Sequence, residues 1–338
     1  MSVPRHTHMV ALLATFAVVI ATFTALSPVF LTVTNFSSIA EGAANVAIVA
    51  VVMTLVVSAG GIDLSVGSML YLGGSVLAVG ARSGWDPLPL FVAVILVTAL
   101  AGTLNGVLAG YARLNALIVT IATFSLFRGV GEQLTEQQDI VVPPAYTAWG
   151  SDHLLGLPVP IAAAAAIVAC GVYVSHRTVF ARLLRAMGSN PLGAVESGIS
   201  VRLLTLVAYM LVGIATGVAA LITAGRVGAV DPTVGVGFEL TTITAVVLGG
   251  TLLSGGTSSV VGSVLGALLL ITVQNGLVLA GASPYWFDVF QAVVLILALS
   301  VSSLARGVMG HVSFRMGKPD GEGDSESHHT RDKAAPAA

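Results

Sequence analysis

An aspartate framed by glycines and serines interrupts a long apolar stretch at Gly60-Gly61-Ile62-Asp63-Leu64-Ser65-Val66-Gly67-Ser68. Paired glycines permit a break in a helix, and Asp63 or Ser65 can cap the new helix start by accepting bonds from its free N–H groups. An ionisable residue near a bilayer is equally a candidate for the route of a solute, so both readings stand for Asp63 and Ser65. Further polar side chains, Asn105, Asn115, Thr120, Thr123, Gln274, Asn275 and Gln291, fall in other apolar runs. There they either bond across helices or line a passage for a neutral, hydroxyl-rich solute. Asn105, Thr123, Gln274 and Asn275 join Asp63 and Ser65 as candidates for that path. Gly102-x-x-x-Gly106-x-x-x-Gly110, Gly213-x-x-x-Gly217 and Gly262-x-x-x-Gly266 would let helix backbones approach closely.

Other chemistries are excluded. No apolar run carries two acids, which argues against a proton relay. The two lysines, Lys318 and Lys333, precede Pro319 and Ala334, so the chain lacks the Gly-rich phosphate loop ending in Gly-Lys-Ser/Thr. It also lacks a G-x-S-x-G elbow and an H-E-x-x-H motif, and reads as no enzyme. The lone Cys170 offers no disulfide framework or cysteine metal site. The histidines, His6, His8, His153, His176, His311, His328 and His329, lie in polar segments or at the edges of apolar runs. They do not suggest a buried haem, and neither metal nor cofactor is expected. A net charge of −2 without a basic stripe argues against a nucleic-acid partner.

Those side chains must be positioned by helices in lipid. Of 338 residues 56% are hydrophobic and 9% charged, against about 25% charged in soluble domains. Ten of the 30 charges lie at or beyond Arg306, leaving 20 for the first 305 residues, too few to cover a soluble body of that size. A helix crossing ~30 Å of hydrocarbon needs about 20 mostly apolar residues. Ten runs qualify: 9–27, 43–60, 66–82, 88–110, 115–131, 158–175, 203–225, 240–254, 260–280 and 286–306. The second, third and eighth are short and interrupted by glycine. The fold expected is an all-α polytopic membrane protein of about ten transmembrane helices, with the first retained rather than cleaved as a signal peptide.

An even number of spans puts both termini on one side. With the N-terminus inside, the inner segments carry Arg5, Arg113, Arg177, Arg182, Arg185, Arg202, Arg306, Arg315, Lys318, Arg331 and Lys333. The outer ones carry Arg82, Arg128 and Arg226. Eleven against three places both termini in the cytoplasm. Residues 1–306 form the membrane domain, with an outer loop at about 132–157 and a cytoplasmic loop at about 176–202. The amphipathic spacing of Phe180, Leu183, Leu184 and Met187 predicts a short helix in the latter that lies against something. Residues 307–338, rich in Gly, Ser, Asp, Glu and His, read as a disordered cytoplasmic tail.

The chain also echoes itself. Residues 50–70 match 245–265 at nine of 21 positions, including Gly60/Gly255 and Gly61/Gly256, the four glycines expected to break helices. That offset of 195 residues would span six helices and make a parallel repeat. LNGVLAG at 104–110 resembles QNGLVLAG at 274–281, an offset of 170 that would span five and make an inverted one. Either repeat would favour a transporter.

Four ordered segments identify a family. GGIDLSVGSM (60–69) looks like the signature of permease subunits in the ribose/xylose/arabinose/autoinducer-2 group of bacterial ATP-binding cassette (ABC) sugar importers. The stretch 177–201 resembles that group's cytoplasmic loop of form GxNxxAAxxSGI, VGFELTTITAVVLGGTLLSGG (236–256) its GxELxxIAAVVLGGTSLxGG, and GSVLGALLLITVQNGLVLAG (262–281) the segment that follows. The resemblance runs from about Asn35 to Leu304. It implies a multi-pass permease of the bacterial inner membrane that passes a monosaccharide, a ribose-like pentose or a related sugar. Its implied partners are two ATP-binding cassette ATPase subunits, a second permease subunit, identical or not, an extracytoplasmic sugar-binding protein and the lipid bilayer. The resemblance makes 180–201 the ATPase-coupling loop, with Arg182, Arg185, Gly188, Asn190, Glu196, Ser197, Gly198 and Ile199 within it. Gly193, Ala194, Val195, Glu196 and Thr257 depart from the usual pattern and bear on which ATPase and which sugar are preferred. Related permeases for nucleosides or branched-chain amino acids, an ion-coupled secondary transporter, and a membrane scaffold are the alternatives.

Overall fold

The computed structural model describes residues 5–283, 285–297 and 300; the expected tail at 307–338 lies outside them. The chain forms α1 (Arg5–Leu26), α2 (Val33–Ser58), α3 (Val66–Arg82), α4 (Pro87–Gly106, prolonged by a π-helical turn Val107–Tyr111) and α5 (Ala116–Thr135). A compact connection follows, with β1 (Ile140–Val141), α6 (Ala148–Ser151), β2 (His153–Leu154) and β3 (Leu157–Pro158). Then come α7 (Val159–Arg177), α8 (Val179–Ser189), α9 (Pro191–Glu196), α10 (Val201–Val227), β4 (Ala229–Val230), α11 (Phe238–Leu248), α12 (Val260–Leu279) and α13 (Tyr285–Leu297). β1 pairs antiparallel with β4, and β2 with β3.

Among the described residues each of the ten expected runs contains a helix; the last, 286–306, is described to Leu297 and at Ser300, and its remainder lies outside the described residues. Among the described residues, seven are long and apolar enough to cross a membrane: α1, α2, α4 with its π turn, α5, α7, α10 and α12. The other three, α3, α11 and α13, are shorter apolar helices.

Two boundaries differ from expectation. The run placed at 43–60 begins ten residues earlier, at Val33, where the Thr32 hydroxyl accepts from the Asn35 N–H. Its polar first turns hold because the buried Asn35 is bonded on both sides. Asn35 Nδ2 donates to the Phe30 carbonyl at 2.9 Å, and its Oδ1 accepts from Asn275. The run placed at 240–254 stops at Leu248, because Gly250 turns to φ +90°.

Helices α2, α3 and α10 form the core; Ile48, Met53, Tyr71, Leu77, Leu221 and Ile222 are fully buried. The glycine series on α4 meets α10 backbone to backbone. A Cβ on Gly102 would overlap the Tyr209 carbonyl, and one on Gly106 would stand 2.8 Å from Leu206 Cα. Gly213 and Gly217 of α10 lie reciprocally against Thr98 and Ile95. Gly262 and Gly266 of α12 seat on the α11 end in the same way, against Gly249 and Ala245. Without a solvent-driven term between helices in lipid, such close approach supplies the packing.

Helix starts recur along the chain. Those of α2, α3, α4 and α5, at 33, 66, 87 and 116, return as α10, α11, α12 and α13 at 201, 238, 260 and 285. The spacing matches the echo of 170 residues rather than that of 195.

Replacing Gly213 by Leu should force α4 from α10 and cost about 1–3 kcal/mol, read as a lower thermal-aggregation midpoint in detergent. Gly129→Ala in α5 is the control: its Cβ would meet nothing within 4 Å, so the midpoint should hold or rise slightly.

Candidate functional site

The break after α2 is built by Gly60 and Asp63. Gly60 takes φ +84°, and the chain runs unhelical to Ser65. Asp63 Oδ1 accepts from the Ser65 backbone N–H at 2.8 Å and from the Ser65 hydroxyl at 2.6 Å. Ser65 is the N-cap of α3 but makes no cap bond itself. Asp63 therefore fixes the residue that starts the helix, rather than bonding the helix's own first turn. Asn105 on α4 donates to Ser65 Oγ at 2.8 Å and, at 3.4–3.5 Å, to the Asp63 carboxylate. All three residues are fully buried. The Tyr209 hydroxyl of α10 donates to the Ile62 carbonyl at 3.0 Å, joined at 3.4 Å by Thr120 of α5.

The other expected path residues are dispersed. Thr123 is buried and bonds back to Val119 in its own helix. Asn275 Nδ2 donates to Asn35 Oδ1 at 2.9 Å, at the start of α2 rather than near its break. Gln274 is exposed, and Asn115 caps α5. Gln291 accepts from Thr241, joining α13 to α11. The structure thus gathers Asp63, Ser65 and Asn105 into one knot and leaves Thr123, Gln274 and Asn275 apart from it.

A second construction lies deeper. Gly61 packs against Tyr209 and Gly73 against Ala220, so Gly67 is level with the middle of the 27-residue α10. There a Cβ on Gly67 would overlap both the Gly235 carbonyl and the Glu239 carboxylate. Between Gly74, which faces Val230, and Gly67, the segment after α10 descends along α3 before starting α11. The N-terminal ends of α3 and α11 therefore meet within the protein. Arg128 of α5 holds the descending segment: its Nη1 donates to the carbonyls of Pro232 (3.1 Å) and Val234 (2.9 Å). Its guanidinium lies 4.6 Å over the Tyr71 ring, and its charge acts on Glu239. Arg128 Nη2, Glu239 Oε2 and Ser68 Oγ are buried without a hydrogen-bond partner among the described residues. By sequence Arg128 reads as an outer charge and Glu239 as part of a motif. For Arg128 the signal is an ionisable residue inside the apolar run 115–131; Glu239, one residue before the run 240–254, carries none.

The third construction joins the two breaks to the amphipathic helix. Glycines 255 and 256 turn at φ +81° and +82°. Gly256 N–H donates to the Ser58 carbonyl at 2.8 Å, and a Cβ on Gly255 would stand 3.0 Å from Gly60 N. Gly188, next to last in α8, fits between them; a Cβ there would overlap the Ser58 carbonyl and come within 2.7 Å of Gly256 N. The predicted helix forms as α8; of its expected face Leu184 and Met187 are buried, together with Ala181, while Phe180 and Leu183 are half-buried. Arg185 Nη1 donates to the Ser175 carbonyl at 3.0 Å and to Ser258 Oγ at 3.1 Å. Asn190 caps α9 by accepting from Gly193 N–H at 3.0 Å. Ser197 bonds the Gly193 carbonyl, and Gly198 turns at φ +75°. Arg182 and Glu196 are exposed.

Residues 35–299 match the family described as "Branched-chain amino acid transport system / permease component". The chain belongs to this family of transport permeases. It is 36% identical to the ribose import permease protein RbsC of Escherichia coli (strain K12) over 291 residues, 85% of this chain and 91% of that one. Against RbsC of Bacillus subtilis (strain 168) the figures are 35%, 81% and 86%. Against the autoinducer 2 import system permease protein LsrD of Klebsiella pneumoniae they are 32%, 87% and 91%. No solved structure matches the chain. As a permease component the protein is a multi-pass protein of the bacterial inner membrane and not an enzyme.

Asn105→Leu should leave the buried Ser65 hydroxyl and Asp63 carboxylate short of a donor and cost about 1–3 kcal/mol, seen as a lower melting midpoint in detergent. Asp63→Ala should cost a similar amount, and the double variant less than the sum of the two, because the three groups form one network.

Proposed function

We propose that this permease belongs to an ATP-binding cassette importer and passes a neutral monosaccharide, a ribose-like pentose or a related sugar. The substrate class rests on the relatives, which include permeases for ribose import and D-allose transport. An extracytoplasmic binding protein hands over the sugar, and two ATPase subunits act on a pair of permeases.

The observation that carries the mechanism is Gly188, wedged between the breaks after α2 and α11. A displacement of α8 reaches both breaks directly, because no side chain intervenes to absorb it. Helices α8 and α9 form the coupling element within the cytoplasmic loop 176–202. Their outer surface is open to a partner: Leu192 and Val195 are 78% and 61% exposed, beside Arg182 and Glu196. Residues 1–306 form the membrane domain, with ten spans and both termini in the cytoplasm, and 307–338 the tail. This topology rests on ten apolar helices and on the excess of arginine and lysine assigned to one side. The recurring helix starts support an inverted repeat of five spans, in which α3 and α11 are the paired discontinuous helices. Asp63, Ser65 and Asn105 then hold the base of α3, and alternating access turns on the meeting of the two half-helices.

Reconstituted with its ATPase and binding protein, the permease should accumulate D-ribose on addition of ATP; alone it should accumulate none. Uphill uptake by the chain alone, driven by an ion gradient, would refute the proposal. Gly188→Val should abolish solute-stimulated ATP hydrolysis while the assembled complex still purifies intact. Retained stimulation in that variant would remove α8 from the coupling route.

A further inference from the structure

A cavity of about 470 Å³ opens at the end of the molecule opposite the α8 joint. Its wall is made by Glu41 and Asn45 of α2, Thr223 and Arg226 of α10, and Ser151 and His153 of the connection between α5 and α7. That volume is in the range of small-molecule sites, roughly 300–1,000 Å³. The lining is unusual for a chain that is 9% charged, because here polar groups converge. Arg226 Nε lies 3.4 Å from Glu41 Oε2, with both side chains partly open at 31% and 24%. Deeper in, Asn45 Nδ2 donates to Thr223 Oγ1 at 2.7 Å. Asn45 Oδ1 is buried and has no hydrogen-bond partner among the described residues.

From these groups we infer that the cavity is a solute-receiving subsite for a neutral polyhydroxylated molecule of monosaccharide size. The inference rests on the importer reading above and adds the place where this chain first touches its solute. The chemistry selects the class. The carboxylate and the amide oxygen accept and the guanidinium donates, while the hydroxyls of Thr223 and Ser151, whose protons go to the Ala219 and Thr147 carbonyls, add acceptor capacity; a ring of hydroxyl groups, each both donor and acceptor, matches that mixed set. Because Glu41 and Arg226 offset each other, the cavity holds no net charge to favour an anion. Its floor lies on α2 and α10, the helices that also flank the meeting of α3 and α11. Asn45 is 13 residues before Ser58 on α2, about 20 Å by helix rise. The cavity and the Gly188 joint therefore sit at opposite ends of one rigid helix.

The test uses cells carrying the complete importer, in a Cys170→Ser background with Ser151→Cys at the cavity rim. A membrane-impermeant thiol reagent should label Ser151→Cys from outside. D-ribose at twice its dissociation constant should slow labelling about threefold, as simple occupancy requires. Ribose 5-phosphate and leucine should not slow it. Adding Asn45→Leu should abolish the protection while labelling continues. Thr223→Cys, in place of Ser151→Cys, gives a second reporter should the first fail to express. Labelling unchanged by ribose in cells that take up ribose would overturn the inference and leave the importer reading intact. Absence of ribose uptake by the unaltered protein would instead overturn the importer reading. Protection by leucine or by the phosphate ester would overturn the assigned solute class.

Discussion

Lipid cannot satisfy a backbone group that leaves a helix, so every break in a spanning helix must find its partners within the protein. The molecule is organised around that requirement. At the first break the Ile62 carbonyl is taken by Tyr209 and Thr120, and the Ser58 carbonyl by Gly256. At the second, Thr251 accepts from the Ser259 N–H and Thr257 from the Leu252 N–H. The first break thus closes with groups from other helices and from the second break, while the second closes on itself and on the Ser58 carbonyl. Moving one must disturb its partners, and this makes a broken helix useful to a transporter rather than merely costly.

Glycine determines where such closure is possible. Gly67 and Gly235, and Gly188 with Ser58 and Gly256, are contacts in which a single Cβ would collide with backbone. A backbone contact has no rotamer to yield, so displacement passes through it with little loss. The contacts between α4 and α10 use the same device to hold the core as a unit. A closely packed core beside two breaks is the division that the alternating access proposed above requires.

The helices were largely legible in the sequence because the signal in lipid is simple: an apolar run of sufficient length. Among the described residues every expected run contains a helix, and the amphipathic spacing predicts α8. The start of α2 is not legible, because Asn35 is satisfied across helices by Asn275 and a sequence does not display the partner. The site was less legible. Asp63, Ser65 and Asn105 were named together, but their mutual bonding depends on α4 crossing the break. Thr123 and Asn275 look like path residues by type, yet bond elsewhere. Arg128 reads only as an outer charge and Glu239 only as part of a motif, because their meeting depends on the descent of residues 230–235 along α3, which no local pattern encodes.

Arg128 shows why residue type matters at that meeting. A planar guanidinium can bond two carbonyls with one nitrogen, stack on an aromatic face and still present another nitrogen. Arg128 does all three, with Nη1 on Pro232 and Val234, its plane over Tyr71, and Nη2 left for another group. A lysine ammonium is a compact point charge and could not bridge those directions. The Tyr71 hydroxyl is held in turn by Thr135 at 2.9 Å, so the ring that supports the guanidinium is anchored to α5, the helix that carries it. The descending segment is therefore fixed by one charged group whose own position is set twice, by its helix and by the ring beneath it. Glu239 enters opposite, at the start of α11, where a helix N-terminus favours a carboxylate. Charge has been brought into this part of the protein only where a helix dipole, a ring face or a carbonyl meets it, and the meeting of α3 and α11 depends on all of these together.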